Sequence, residues 1–227
     1  MATSEAVRTP AVEDYTKAIF SLESRCGEPV STKTLAGRLG ITAGSVSAML
    51  KRLDELGLIT HVPYRGVRLT PAGRRIALEV IRHHRLLESY LAEVLGMPWD
   101  RVHAEAEVLE HVLSDDLEEL IAEKLGNPTV DPHGDPIPSV EFDLQEGETV
   151  GLDELSIGAV GRFVRVSDSD PEMLRYLAEQ GIALGEMLEV VERQPFGGPL
   201  FVRFGERTLA LGDALAGAMR VELEAQA

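Results

Sequence analysis

Between Asn127 and Pro138 the chain reads N-P-T-V-D-P-H-G-D-P-I-P, with four prolines in twelve residues. No helix or sheet runs regularly through such a stretch, because proline fixes φ and offers no backbone N–H. The segment divides the chain into two regimes. Before it, apolar residues recur at helical spacing, ending at Gly126. After it, from Gly151, short β-like runs appear: Gly158 to Val166, Met187 to Glu192, Leu200 to Phe204 and Arg207 to Leu211. One helix, Pro171 to Gln180, interrupts them. Short strands with Gly-rich turns predict a small barrel of roughly eighty residues. The fold class is therefore mainly α with a small β domain.

The helical part has internal order. Val12, Tyr15, Ile19 and Leu22 mark an amphipathic helix that stops near Cys26-Gly27. Ser31 or Thr32 caps a short helix burying Leu35, Ala36 and Leu39. A turn at Gly40-Ile41-Thr42 follows, and Thr42 caps a second helix from Ala43 to Leu56 with Val46, Leu50 and Leu53 inward. Two short helices joined by a Gly-containing turn form a helix-turn-helix. Leu58 to His61 and Val67 to Thr70, joined by Pro63-Tyr64-Arg65-Gly66, add a two-stranded wing. A long helix opens at Thr70-Pro71.

The net charge of -16 weighs against nucleic acid only as an average. Residues 1–75 carry +4, residues 76–148 carry -14 and residues 149–227 carry -6. A basic first third suits phosphates; an acidic middle concentrates carboxylates that attract cations. The second helix of the helix-turn-helix presents small polar residues, Thr42, Ala43, Gly44, Ser45 and Ser47, which permit close approach in a major groove. Lys51, Arg52 and Arg65, with Lys33 and Arg38, are placed to meet phosphates. Few of these side chains make bidentate base contacts, so shape and methyl groups carry part of the discrimination. The expected partner is double-stranded operator DNA. The apolar helices that follow predict a homodimer, whose symmetry matches paired half-sites.

The middle third carries the chemistry. In H-A-E-A-E-V-L-E-H, helical spacing stacks His103, Glu107 and His111, with Glu110 beside them. Upstream, His84 and Glu88 repeat the four-residue step. Each stripe alone reads as a solvated acidic face. Two so close together favour a divalent cation held by imidazole and carboxylate. The one cysteine, Cys26, excludes an internal disulfide and fits a reducing cytoplasm. No secretion signal and no membrane-spanning apolar run is expected.

The order of these parts, with H-R-L-L-E (His84 to Glu88), W-D-R-V-H-A-E-A-E-V-L-E-H (Trp99 to His111), the Pro-rich segment and a small barrel, resembles the diphtheria-toxin-repressor family of metal-dependent transcriptional regulators. The resemblance spans nearly the whole chain. It implies three domains: a winged helix-turn-helix (1–75), a helical dimerisation and metal-binding domain (76–148) and an SH3-like, FeoA-like barrel (149–227). It implies a primary metal site at Asp14, Glu107, Glu110 and His111. It also implies an ancillary site at His84, Glu88 and His103, completed by Asp170 or Glu172, or by Asp131 and His133. Carboxylates at Asp14 and Glu107, where iron-sensing members carry sulfur, imply the manganese-sensing branch and Mn2+, with Fe2+ the alternative. Lys17 departs from the short manganese regulators, which have Glu there, and speaks against a two-metal cluster. The implied function is a metal-activated repressor of metal-uptake genes, not an enzyme. A metallohydrolase with an accessory DNA-binding domain is the remote alternative, and lacks an H-E-x-x-H motif. Charged stripes in place of an apolar pocket imply no organic small-molecule ligand.

Overall fold

The computed structural model describes residues 8–224. The described residues pack as two units. Within the described range, one comprises residues 8–84, 107–118 and 138–144; the other comprises residues 85–106, 119–137 and 145–224.

In the first unit, α1 (Pro10–Cys26) starts two residues earlier than the apolar periodicity suggests, because Thr9 caps it and Pro10 takes the first helical position. Gly27 ends it in the left-handed conformation (φ 66°). Ser31 is the cap of α2 (Thr32–Leu39), and Thr42 caps α3 (Ala43–Glu55) by accepting from the Ser45 N–H. Val12, Ile19, Leu35, Val46 and Leu53 are fully buried where α1, α2 and α3 meet. Each such side chain contributes about 1.5–3 kcal/mol relative to exposure.

The wing is an antiparallel pair, β1 (Ile59–Val62) and β2 (Gly66–Leu69), with Val62 paired to Gly66. Three residues, Pro63 to Arg65, join that pair, with Tyr64 at φ 63° and fully exposed at the tip. Gly66 is fixed by space as well as by its φ of 128°: a Cβ there would lie 2.2 Å from the Val30 carbonyl oxygen. That carbonyl belongs to a bridge in which Val30 and Val67 exchange backbone hydrogen bonds, so the wing is sewn to the start of α2.

The long helix α4 (Pro71–Glu93) and the end of α5 (Trp99–Leu109) bring the acidic middle third into this unit. Here α5 stops at Leu109, so Glu110 and His111 lie in a turn and do not continue the helical stripe read from the sequence. The start of α6 (Asp115–Lys124) is tied down by charge: Glu118 accepts from Arg82 Nε at 2.5 Å and from His83 Nε2 at 2.9 Å. Burial pushes the Glu118 carboxyl upward, but His83 and Arg82 outweigh it and hold it below its ordinary value of 4.5. A depressed acid stabilises the fold above its ordinary value, and that contribution is lost as pH falls through the lower, folded value. The metal-free protein should thus lose this part of its thermal stability as pH falls below 4.5. Glu118→Gln should lower stability by about 2 kcal/mol at neutral pH and flatten that acid limb, as measured by melting in chelator.

The second unit contains the small β domain. Six strands run in the order β3 (Val150–Gly151), β8 (Met219–Leu223), β4 (Val160–Val166), β5 (Met187–Arg193), β6 (Leu200–Phe204) and β7 (Arg207–Leu211), all antiparallel. The expected runs supply β4 to β7, while β3, β8 and the short helix α8 (Asp213–Ala218) are additions. Phe163, Val190, Val202, Phe204 and Val221 fill the core, with Leu174 and Leu177 of α7 (Pro171–Glu179) packed on it.

Strand β4 carries a bulge between Phe163 and Arg165. Two-residue alternation would turn Arg165 inward; the extra residue re-phases the strand so that Phe163 and Val166 are both buried. The bulge also receives the Pro-rich segment. Val166 N–H donates to the His133 carbonyl (2.9 Å), and a Cβ on Gly134 would lie 2.0 Å from the Val164 carbonyl oxygen. The loop from Asp131 to Asp135 is thereby fixed against the sheet.

Candidate metal centre

Helix α1 presents Glu13, Asp14 and Lys17 toward the turn after α5. Asp14, Glu110 and His111 offer one ligand atom each, all within 4.8 Å of one another. His111 is the hinge of this group. Its Nδ1 donates to Glu13 Oε2 at 2.7 Å, and its Nε2 faces Asp14 Oδ1 at 3.1 Å and Glu110 Oε1 at 3.7 Å. Glu13 thus fixes the ring and the tautomer, leaving Nε2 turned to the two carboxylates, the usual second-layer arrangement of a metal-bound imidazole. Arg8 in turn holds Glu13 (3.4 Å) and Glu79 (2.6 Å). Burial pushes the Asp14 carboxyl upward; His111 opposes that shift, and Glu110 and Glu107 add to it.

Glu107, assigned with these residues by resemblance, points elsewhere. Its Oε1 accepts from Lys17 Nζ at 2.6 Å. It groups with His84 and Glu110, again within 4.8 Å. Glu110, its side chain wholly buried, therefore serves two neighbouring nests: one oxygen faces His111, the other accepts from His84 Nδ1 at 2.5 Å. The donor set of the two nests, oxygen and imidazole nitrogen without sulfur, fits a hard-to-borderline divalent cation.

A second cluster lies in the other unit around Glu88 of α4, which is fully buried. His103 Nδ1 stands 2.9 Å from Asp168 Oδ2 and 3.3 Å from Glu88 Oε1. The hydrogen bond to Asp168, then that to Glu88, raises the His103 imidazole to about 10. On the opposite side, His133 Nδ1 lies 3.8 Å from Glu88 Oε2, while its Nε2 donates to the Trp99 carbonyl at 2.8 Å and its ring stacks on the Trp99 indole. Asp131, buried beside them, accepts the backbone N–H groups of His133 and Asp135. Burial first, then the neighbouring Asp135 and Glu88, push the Asp131 carboxyl well above the usual carboxylate range. Glu88, Asp131 and His133 form one possible ligand group, and Glu88, His103 and Asp168 belong to another.

Some expected ligands are placed differently. Asp170 is the N-cap of α7 and accepts from the Glu172 N–H at 2.9 Å, and the acid set against His103 is Asp168. Glu172 is exposed on α7. His84 turns its Nδ1 to Glu110, one turn before Glu88 on α4. Glu13, Lys17 and Asp168 take positions in these clusters that the motif reading did not assign them.

The residues expected to face DNA are exposed. Thr42, Ala43, Gly44, Ser45, Ser47, Lys51 and Arg52 are all exposed on α3 or its cap, as are Lys33 and Arg38 on α2. Arg65 is exposed at the wing but forms an ion pair with Glu28. Val108 and Val112, 70 % and 76 % exposed, leave an apolar surface at the end of α5. None of the described helices is long and apolar enough to cross a membrane.

A winged helix-turn-helix with a cluster of carboxylates and imidazoles drawn from its first helix and from the acidic middle third defines a class: metal-responsive, DNA-binding regulators. Comparison with known proteins gives the family. Residues 8–67 match the N-terminal DNA binding domain of iron dependent repressors, residues 70–139 their metal binding and dimerisation domain, and residues 150–223 the FeoA domain. The chain is 33 % identical over 222 residues to the iron-dependent repressor IdeR of Mycobacterium tuberculosis, covering 92 % of this chain and 96 % of that one. It is 30 % identical over 232 residues to the diphtheria toxin repressor of Corynebacterium diphtheriae, with the same coverage of each. Among solved structures, a manganese-dependent transcriptional repressor in complex with manganese superposes with a TM-score of 0.88 at 42 % identity, over 94 % of this chain and 100 % of that one. The repressor ScaR with bound Cd2+ superposes with a TM-score of 0.80 at 28 % identity, over 93 % and 98 %. The chain belongs to the iron-dependent repressor family, whose members are metal-dependent transcriptional regulators and not enzymes. The resemblance drawn from the motifs, and the fold it implied, hold.

Proposed function

We propose that the chain is a Mn2+-responsive repressor of metal-uptake genes that acts as a cytoplasmic homodimer on double-stranded operator DNA. The observation that carries this reading is the meeting of Asp14 with His111 and Glu110, 3.1 Å separating Asp14 Oδ1 from His111 Nε2. Asp14 sits on the helix that packs under α2 and α3, while Glu110 and His111 close the acidic middle third. Residues 1–75, 76–148 and 149–227 divide the work into reading DNA, pairing and sensing, and supporting the sensor.

Asp14, Glu110 and His111, with Glu107 adjacent, would hold the cation, and Glu13 keeps the His111 ring aimed at it. The bound ion supplies the positive charge that offsets the gathered carboxylates. With Asp14 held, α1 fixes the bearing of α3, so that in the dimer the two recognition helices lie about 34 Å apart, one turn of DNA. Thr42, Ala43, Gly44, Ser45 and Ser47 then enter the groove, while Lys51, Arg52 and Arg65 meet phosphates. Arg65 must leave Glu28 to do so. Glu88 with His103 and Asp168, or with Asp131 and His133, offers an ancillary site beside the small β domain, and Val108 and Val112 contribute to the dimer face.

Manganese is favoured by a primary cluster without thiol or thioether. Cys26 lies at the exposed end of α1, away from the donors. The iron-dependent relatives keep Fe2+ as the second reading. Anaerobic titration with Mn(II) or Fe(II), following binding of a duplex selected from a random pool, separates the two. With each metal at saturation, full DNA binding is expected with Mn(II) and only partial binding with Fe(II), because geometry and not bare affinity sets the response; the reverse order identifies an iron sensor.

A further inference from the structure

The wing tip holds a bulky side chain where the backbone asks for a small one. Arg65 N–H donates to the Val62 carbonyl at 3.0 Å, so Val62 to Arg65 form a β-turn with Pro63 second and Tyr64 third. Proline second and a positive φ third is the pattern of a type II turn, whose third place ordinarily takes Gly or Asn. Tyr64 has φ 63°, a left-handed conformation that a side chain with a Cβ disfavours. Phe142 has a similar φ, 60°, but its ring packs under the Arg75 guanidinium and against the buried cluster of Phe20, Leu78 and Ile81. Tyr64 gains no such burial, because its ring is fully exposed. A strained residue that does nothing for the fold points outward, to a partner.

The tip is also held rigid. Pro63 fixes its own φ, the Arg65 guanidinium is tied to Glu28, and Gly66 is pinned against the Val30 carbonyl. Strand β1 opens at Ile59, just after α3 ends at Glu55, and Leu58 and Ile59 share a buried cluster with Val46, Leu50 and Leu53 of α3. The wing therefore keeps a set bearing to the helix that enters the major groove. Phe196 is as exposed and has φ 61°, but it belongs to the other unit, which carries none of the expected DNA contacts.

We propose that Tyr64 is a specificity-determining residue that lays its ring into the minor groove beside the segment read by α3, and there favours A·T over G·C pairs. Arg65, once it leaves Glu28, meets the phosphate backbone, and the tip beside it reaches the adjoining minor groove. In that groove a G·C pair carries the guanine amino group, whereas an A·T pair leaves the floor open to a flat ring. The small side chains of α3 leave much of the discrimination to shape, and a rigid aromatic reads shape with little loss of conformational freedom. The backbone strain follows from placing that ring at the apex of the turn. This inference rests on the proposed docking of α3 on operator DNA.

The test uses the duplex selected from a random pool, in saturating Mn(II), with the pairs flanking each half-site set to A·T, G·C or inosine·C. Inosine lacks the guanine amino group but keeps its major-groove atoms, so it isolates the minor groove. Wild type should bind the A·T and inosine·C forms alike, and the G·C form about 10-fold more weakly. Tyr64→Gly should bind all three alike, about 10-fold more weakly than wild type binds the A·T form. Tyr64→Phe should restore both the affinity and the preference. In chelator, Tyr64→Gly should melt no lower than wild type, because glycine adopts φ 63° without strain. Arg65→Ala should weaken all three forms and lower the salt dependence, which Tyr64→Gly leaves unchanged. Equal binding of the three duplexes by wild type, an A·T preference that persists in Tyr64→Gly, or a lower melting temperature in that variant overturns the proposal and leaves the docking of α3 standing. A duplex affinity untouched by Ser47→Glu overturns that docking, and the role of Tyr64 with it.

Discussion

Asp14→Ala is expected to abolish the metal dependence of DNA binding while leaving the dimer intact. The side chain is 44 % exposed and makes no contribution to the buried core, so its loss costs the fold little. What it removes is the α1 share of a cation site whose other members sit in the acidic middle third. Loss of a partner that merely orients a ligand costs about 10–100-fold in metal affinity. Loss of the ligand that joins two parts of the chain should cost at least about 100-fold, near 2.7 kcal/mol. Linkage then requires operator DNA and metal to lose their mutual tightening together. Sedimentation should report an unchanged dimer, and calorimetry a weakened site. A variant that still needs Mn(II) to shift DNA refutes the bridge.

Ser47→Glu should have the complementary effect. Ser47 is exposed on α3, and its hydroxyl is satisfied locally by the Ala43 carbonyl at 2.9 Å, so a longer side chain is tolerated by the free protein. In the groove, the added carboxylate faces phosphates and base edges. Uncompensated like charge at an interface costs several kcal/mol, so affinity for the selected duplex should fall by about 1,000-fold. Metal binding should not change, because α3 supplies no ligand. Together the two variants separate sensing from reading: one loses metal, the other loses DNA.

The DNA-reading part was legible in the sequence because its boundaries are written in local chemistry. Ser31 and Thr42 cap, Gly27 and Gly40 stop, and Thr70-Pro71 opens the next helix. The end of α5 has no such mark. From Trp99 to Val112 no Gly or Pro interrupts the pattern after Pro98, so the periodicity runs on past Leu109 where the chain in fact turns. That turn decides which way Glu110 and His111 face. Glu13 was legible only as a neighbour of Asp14, and Lys17 only as a departure from the family pattern; Glu110, which Lys17 meets, and His111, which Glu13 meets, lie 93 and 98 residues away in the chain. Asp168 could have been found. In Ser167-Asp168-Ser169-Asp170-Pro171, an Asp directly before a helix-starting Pro is claimed as a cap, which leaves Asp168 as the available acid. Strand β8 was also readable: Met219, Val221 and Leu223 alternate with polar residues, yet the run is short and follows a helix, which hides it beside longer strands.

The measurement closest to the central claim is the affinity of the wild-type chain for its selected duplex, at one fixed salt concentration, in chelator and in saturating Mn(II). Salt must be held constant because phosphate contacts make any DNA affinity depend steeply on it. If a cation joins Asp14 to His111 and so sets the recognition helices, affinity should rise by about 100-fold or more on adding metal, near 2.7 kcal/mol of coupling. Equal affinity in the two conditions would contradict the account.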